Sequence, residues 1–577
     1  MDDRQLVAFV VTSHDIVDNK AKQDLVKQLH VEAAEHLNPY MLPNAYHLAT
    51  QLPSLTSGKH DRIELRKMKL DPVFPLMAAQ CTDLPAEDPQ DERLQILASV
   101  TQVFRDVLKL NPKMPIEPSQ SFFELGGHSV LALRVLAKVR STSGLRIQPK
   151  DFFLTPTPAG VAAIVIKERG FEPLQWDNAG ASPIDWQIEA KLPDTPEFYP
   201  TKRANHGTKI LLTGADSIVG LYMLIEILNQ DPSAVVMAMG TEVPLTKEAL
   251  IADIEQHGLG DSKALAERVQ LLPGALAMPE LGLSTEESTR LRDSVKSIFH
   301  FGSRVSLLKS HKELEQVNLR ATKEIIRLAA AAGSDTTIHY LSTWSVSHLQ
   351  DWRTTHRLDG KKSTTVKTER APDFFYPVGS DLAYFKTRWA AEMMMTSAAN
   401  RGLRTLIYRA SALSAADADA TEESNFFAGL MRDIVKTGSV PDLGGDDGLD
   451  MDVVPPTYIA RTIHQIVSKQ TSGSGVFHIR NRSPLPVGGL INALHGMNKE
   501  ANKVPAKEWH KRIEKQGALY AAVAAEYVDM GHRIFSLDDS ETRKLLGGDF
   551  EEETTREGLC EPVDAHYIQK VMSSLGM

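Results

Sequence analysis

Two stretches of this 577-residue chain bring reactive or ligand-holding groups to turns. Residues 121–130 read SFFELGGHSV, in which two glycines allow a sharp turn and deliver one hydroxyl, Ser129, to the start of an apolar helix. A helix start leaves unpaired N–H groups and partial positive charge, which suits a serine carrying an anionic phosphodiester. The same serine is equally suited to capping the helix and nothing more. The second stretch, LLTGADSIVG, ends a strand at Gly214 and begins a helix near Gly220. Such a turn cradles a dinucleotide pyrophosphate when it belongs to a Rossmann-type sheet, and is an ordinary tight turn otherwise. Metal chemistry has little footing. No HExxH or paired-cysteine spacing occurs, His30 and His36 are six apart and off one helical face, and the cysteines are only Cys81 and Cys560. No metal site is expected.

Composition narrows the reading further. Sixty-four basic residues against 74 acidic ones leave a net charge of −10, the wrong sign for a chain that coats nucleic acid or an anionic membrane. The stretch Lys507–Lys515 interleaves Glu508 and Glu514 with its cations, so it forms no nucleic-acid stripe. Asp549–Glu553 reads as a solvated acidic face. The start, MDDRQLVAFVVTSHD, is acidic and its apolar run covers only Leu6–Val11, unlike a signal peptide. No apolar stretch approaches the ~20 residues of a membrane span. These features predict a cytoplasmic protein of a reducing compartment, with neither nucleic acid nor membrane as partner. At ~150 residues per domain the length implies three to four domains.

The elements that must position these turns follow from periodicity. Residues 1–75 combine a strand-like run (Leu6–Thr12) with a helical stretch, and 76–90, near Pro75, Pro85 and Pro89, read as a linker. Leu94, Leu97, Val100, Val103, Phe104, Val107 and Leu108 recur at three and four, which predicts an amphipathic helix before the Ser129 turn. A second helix follows that turn through Val130, Leu131, Leu133, Val135, Leu136 and Val139. Residues 169–205 hold Pro173, Pro183, Pro193, Pro196 and Pro200 and read as a longer linker. From Lys209 onward KILLTG, AVVMAM, SIFHFG, TIHYLSTW, RTLIYRAS and VFHIRN are short apolar runs separated by helical sequence. That alternation predicts a mostly parallel, doubly wound sheet.

The helix–LGGHS–helix arrangement, with DFFLTPTPAGVAAI about twenty residues later, resembles the peptidyl carrier protein of nonribosomal peptide synthetases. The resemblance implies an all-α four-helix carrier domain over 90–168, with Ser129 as the attachment point of 4′-phosphopantetheine. It includes Phe153, Pro156 and Thr157 near the domain end. A phosphopantetheinyl transferase is then an implied partner. Residues 37–65, LNPYMLPNAYHLATQLPSLTSGKHDRIEL, resemble the final core motif of an adenylation domain and imply a small α+β lid over 1–75. Lys59 matches the lysine that such domains direct at the acyl phosphate, a role suited to a flexible point charge. Only about 36 residues precede Leu37, so the adenylation core is expected to be missing. A separate adenylation enzyme or polyketide/peptide synthetase is then expected to load the carrier.

Residues 206–577 resemble the thioester reductase domains of the extended short-chain dehydrogenase family, after a 169–205 linker. In that linker Ile184, Asp185, Trp186, Glu189, Leu192 and Pro193 resemble the segment preceding release domains of fungal hybrid synthetases. The resemblance implies an α/β Rossmann-like doubly wound parallel sheet with a smaller substrate subdomain, and NADP(H) as cofactor. It places cofactor binding at Gly214, Ser217 and Gly220, and catalysis at Thr343, Tyr384 and Arg388. Four positions depart from the family pattern. Ser217 stands at the middle glycine, Gly240 where an arginine would pair the 2′-phosphate, Gly274–Ala275 where a Gly-Asp would contact adenine, and Arg388 where a lysine follows the tyrosine by four residues. Arg388 still shares a helix face with Tyr384, whereas Lys386 points elsewhere. These departures argue against NADP(H) and incline the reading to redox-neutral release of a carrier-bound acyl or peptidyl thioester, a Dieckmann-type ring closure. The alternatives are NAD(P)H-dependent reduction to an aldehyde or alcohol, and a non-catalytic carrier and docking role.

Overall fold

The computed structural model describes residues 7–12 and 45–49, scattered positions between 21 and 29, and most of 91–171. It then describes 186–577 apart from 203–206, 307–308, 310, 347–382, 414–424, 443–449, 517–519, 522–523, 525–536, 557–559 and 561. The chain divides into two compact units, Met1–Ser182 and Pro183–Met577.

In the first unit, β1 (Val7–Val11) and β2 (Ala45–Ala49) pair in parallel, with Val7 opposite Ala45. Residues 51–90, with Lys59 and the rest of its loop, lie outside the described residues. Three helices follow among the described residues: α1 (Glu92–Leu108), α2 (Ser129–Ser143) and α3 (Pro158–Glu168). The apolar stripe read from the sequence is the buried face of α1, through Ile96, Leu97, Val100, Val103, Phe104 and Leu108. It closes on Val135, Leu136 and Val139 of α2 and on Val161, Ala162, Val165 and Ile166 of α3. Thr157 caps α3, its Oγ1 accepting from Gly160 N at 3.0 Å, and Pro158 supplies the preset first helical position.

The second unit is built on seven parallel strands. They are β3 (Lys209–Thr213), β4 (Val236–Gly240), β5 (Val269–Ala275), β6 (Val295–His300), β7 (Thr337–Thr343), β8 (Arg404–Ala410) and, after four short strands, β13 (Gly475–Ile479). The short ones are β9 (Ala412–Leu413), β10 (Ser439–Asp442), β11 (Asp450–Met451) and β12 (Val453–Val454). The spatial order is β13-β8-β7-β6-β3-β4-β5. The chain therefore winds outward one way from β3 to β5 and the other way from β6 to β13, a doubly wound sheet with its switch point between β3 and β6. Consecutive apolar residues go to opposite faces: Leu211, Ile298 and Ile407 enter one core, and Leu212, Phe299 and Leu406 the other. A sheet covered on both faces needs such continuous apolar strands. The first face carries α5 (Ala321–Ala332) and α6 (Ala383–Asn400), and the second carries α4 (Ile218–Gln230) and α7 (Pro456–Lys469). Two further strand pairs, parallel β10 with β15 (Asn502–Pro505) and antiparallel β11 with β14 (Leu485–Pro486), belong to the carboxyl-terminal half.

The unit begins well before the expected boundary at 206. Trp186, Ala190, Leu192 and Phe198 are buried in the core of this second unit. Trp186 meets His311 edge-on at 5.1 Å, and Lys386 Nζ lies 5.9 Å from the Trp186 ring centre. The proline content of 169–205 suggested a linker throughout, but the apolar residues between the prolines are anchors. Burying a residue of that size contributes about 1.5–3 kcal/mol.

Candidate active site

Ser129 is the first residue of α2. Ahead of it in the motif, Phe122 is fully buried and Leu125 nearly so. Phe122 packs edge-on against Phe104 at 5.2 Å and against Phe152 at 5.3 Å, and its backbone N–H donates to Pro156 O at 2.6 Å. Ser129 thus stands at a helix start in a unit whose core includes Phe122 and Leu125 of the same motif.

The turn after β3 is held by backbone contact. Gly214 has φ +73°, and a Cβ on it would lie 2.3 Å from Gly302 Cα. A Cβ on Gly220 would lie 1.9 Å from Gly214 O, so α4 meets the turn with no room for a side chain. Ser217 fits because it begins α4 as the N-cap. Its Oγ donates to Gly214 O at 2.6 Å and accepts from Gly220 N at 3.2 Å. That hydroxyl satisfies a helix-start N–H available to a pyrophosphate oxygen in a wider turn.

Past β4 the side chains change the electrostatics. Gly240 leaves no space for a Cβ, which would fall 2.1 Å from Val243 O, and the residues that follow are Thr241 and Glu242. The Asp216 carboxylate accepts from Thr241 N at 2.8 and 3.0 Å and from Thr241 Oγ1 at 2.8 Å. Glu242 pairs bidentately with Arg304, Nε to Oε1 at 2.6 Å. Ala275, at the end of β5, is fully buried and offers no polar group to an adenine. The backbone cradle at Gly214 and Gly220 fits a dinucleotide pyrophosphate. The carboxylates of Asp216 and Glu242 at the end of β4 do not fit the 2′-phosphate of NADPH.

The expected catalytic residues sit at the carboxyl end of β7 and on α6. Thr343 ends β7, and Ser345 donates to its Oγ1 from N at 3.5 Å and from Oγ at 3.4 Å. Tyr384 lies in the first turn of α6 and is 9% exposed. Burial pushes its phenol above the ordinary range, with Arg388 pulling the other way. The net effect keeps the phenol protonated, a donor rather than a base. Arg388 comes to β7 as helical spacing required: Nη2 donates to Leu341 O, and the guanidinium carbon lies 4.8 Å from the Tyr340 ring centre. Its Nε is buried without a hydrogen-bond partner among the described residues. The Arg388 guanidinium thus meets β7 at Tyr340 and Leu341, two to three residues before Thr343. Lys386 faces Trp186 instead.

Sequence reasoning missed the support beneath this locality. Glu392, one turn beyond Arg388, is fully buried, accepts from Ser342 Oγ, and pairs with a fully buried Arg409 at 2.8 Å. Arg409 continues to His478 Nε2 at 3.4 Å. The signal was the i+4 spacing of Glu392 from Arg388; Arg409, on β8, carried none. His300, at the end of β6, is held by Thr213 Oγ1 at 2.8 Å and Thr322 Oγ1 at 3.1 Å. Burial first, then Arg388, lowers its pKa to about 3, so it stays neutral. Asp452, between β11 and β12, is fully buried and accepts from Asn481 N at 2.7 Å. Among the described residues no cluster of His, Cys, Asp and Glu could hold a metal, and no helix is long and apolar enough to cross a membrane.

Residues 98–165 match the family described as phosphopantetheine attachment site, and 212–463 the NAD-binding family described as male sterility protein. The chain is 31% identical over its whole length to the hybrid PKS-NRPS synthetase pynA of Aspergillus niger, and spans 15% of that protein's length. Its fold is similar to a thiolation-reductase di-domain from an archaeal non-ribosomal peptide synthetase, with TM-score 0.60 and 17% identity over 84% of this chain and 97% of that one. It is also similar to the terminal R domain of the myxalamid PKS-NRPS pathway, with TM-score 0.54 and 22% identity over 68% and 96% of the two chains. The chain thus carries a phosphopantetheine-attachment domain followed by a male-sterility-type NAD-binding domain, and is similar to part of hybrid PKS-NRPS synthetases.

Proposed function

We propose that the chain holds an acyl or peptidyl group as a thioester on phosphopantetheine at Ser129, and that its second unit releases the group without hydride transfer. A phosphopantetheinyl transferase installs the arm, and a separate adenylation enzyme or polyketide/peptide synthetase supplies the cargo. In the ring closure, the acidic carbon flanked by two carbonyls gives its proton to solvent water and attacks the thioester carbonyl. A C–C bond forms, the tetrahedral oxyanion collapses, the C–S bond breaks, and the thiolate takes up a proton. Nothing is oxidised or reduced. Tyr384, kept protonated by burial, and Thr343 donate hydrogen bonds to the developing oxyanion, and Arg388 supplies the fixed positive charge beside them.

The observation that carries this reading is the placement of Arg388. Its guanidinium donates to Leu341 O and lies over Tyr340, which supports a cation held at β7 over one that reaches out to a ribose. Reductive release is the second reading, favoured by the intact glycine cradle at Gly214 and Gly220. The test loads Ser129 from the coenzyme A thioester of a β-ketoacyl amino acid and follows intact mass and small-molecule products with and without NADPH. Ring product without cofactor is the expected result, slowed about 10²–10³-fold in Arg388→Ala. An aldehyde or alcohol formed only with NADPH, or cargo that stays on the carrier in both conditions, overturns the proposal.

A further inference from the structure

The ion pair between Glu242 and Arg304 lies where no local reading of the chain predicted one. Glu242 is the second residue after β4, and Arg304 is the fourth after β6. In the sheet β4 and β6 flank β3, so the two residues belong to strand ends two strand spacings apart, about 10 Å. Between those ends stands the Gly214 turn. The crevice outside the carboxyl ends of strands at a switch point is where an open α/β sheet takes its ligand. The pair therefore crosses that crevice.

Arg304 is held along its whole length. Its backbone N–H donates to Asn318 Oδ1 at 2.8 Å, its carbonyl accepts from Asn318 Nδ2 at 3.1 Å, and Nη1 donates to Glu313 O. Asn318 Nδ2 also donates to Thr387 Oγ1 at 3.2 Å, and Thr387 lies between Tyr384 and Arg388 on α6. A second clasp closes the same side of the turn, where Asp216 accepts twice from Thr241 N and once from its hydroxyl.

We infer that Glu242 and Arg304 form a strap across the dinucleotide crevice, excluding dinucleotides from the wild-type release unit and masking in Arg304 a cation that could pair a 2′-phosphate. The inference rests on the hydride-free reading above and gives it a structural cause. The Glu242 side chain is 38% exposed and that of Arg304 16%, so opening the pair leaves the fold in place.

Binding alone tests it, on the full chain, by nicotinamide fluorescence and thermal shift with NADPH and NADH. The wild type is expected to respond to neither at millimolar concentration. Glu242→Gln, which keeps the size and removes the charge, is expected to gain NADPH binding, about tenfold tighter than NADH. Adding Arg304→Ala to that variant is expected to abolish the preference. Circular dichroism and an unchanged unfolding transition confirm that the variants fold. NADPH binding by the wild type, or no gain in folded Glu242→Gln, overturns the strap. Ring closure by the wild type in the same preparation is scored separately, so a strap that fails leaves the release chemistry standing, and the reverse also holds.

Discussion

At the carboxyl end of β3, Gly214 and Gly220 sit where an added Cβ would fall 2.3 Å or less from backbone atoms. At the carboxyl ends of β7 and β8, the arrangement is instead written in side chains: Arg388 on Tyr340 and Leu341 O, Glu392 on Ser342 and Arg409. The first region is fixed by backbone contact and tolerates changes in what its side chains present, as Ser217, Thr241 and Glu242 do. The second is fixed by charge and hydrogen bonding in a dry interior, where each partner depends on the next. A backbone frame can therefore persist in shape while the side chains around it change its electrostatics. Reading a turn motif alone reports the frame; reading its neighbours reports the use.

Four changes probe that contrast. Glu392→Ala leaves Arg409 charged at full burial without its carboxylate and should cost the second unit about 3–5 kcal/mol by denaturant unfolding. If it costs under 1 kcal/mol, the side-chain region is not held as described. Gly220→Ala forces a methyl onto Gly214 O and should cost about 3 kcal/mol, read as a lowered thermal midpoint of the same unit.

Asp452 gives a pH-dependent version. Burial outweighs the nearby Arg480 and raises its carboxyl to about 7 from the ordinary 3.8. Folding then favours the protonated form, so the stabilisation is complete below about pH 4 and is lost as the pH rises to about 7. Asp452→Asn should therefore gain about 3 kcal/mol on wild type between pH 4.5 and pH 8, and equal slopes in the two proteins would contradict the assignment. The smallest effect belongs to Ser217→Gly. It removes the cap on Gly220 N but restores backbone freedom, so unfolding should shift by only a few tenths of a kcal/mol.

Much of the framework could be read directly. KILLTG, AVVMAM, SIFHFG, TIHYLSTW, RTLIYRAS and VFHIRN became β3, β4, β6, β7, β8 and β13, because strands covered on both faces are short, continuous apolar runs. Strand β5 gave no such run. It is an edge strand, carries Pro273 and Gly274, and shifts register against β4. The pairing of Tyr384 and Arg388 on one face followed from i+4 spacing, and Ser129 at a helix start from its glycines. Asp216 with Thr241 and Glu242 with Arg304 are 25 and 62 residues apart. Contacts of that kind are made by the sheet order and leave no periodic trace. The proline-rich stretch misled for a related reason: prolines mark where a chain cannot continue a helix, and are silent on whether the residues between them are docked.

The docked Trp186 has one more consequence. Lys386, two residues from Tyr384, lies over the Trp186 ring. The amino-terminal anchor of the second unit therefore rests on the same helix that bears the phenol and the guanidinium, and loosening the anchor would loosen that helix.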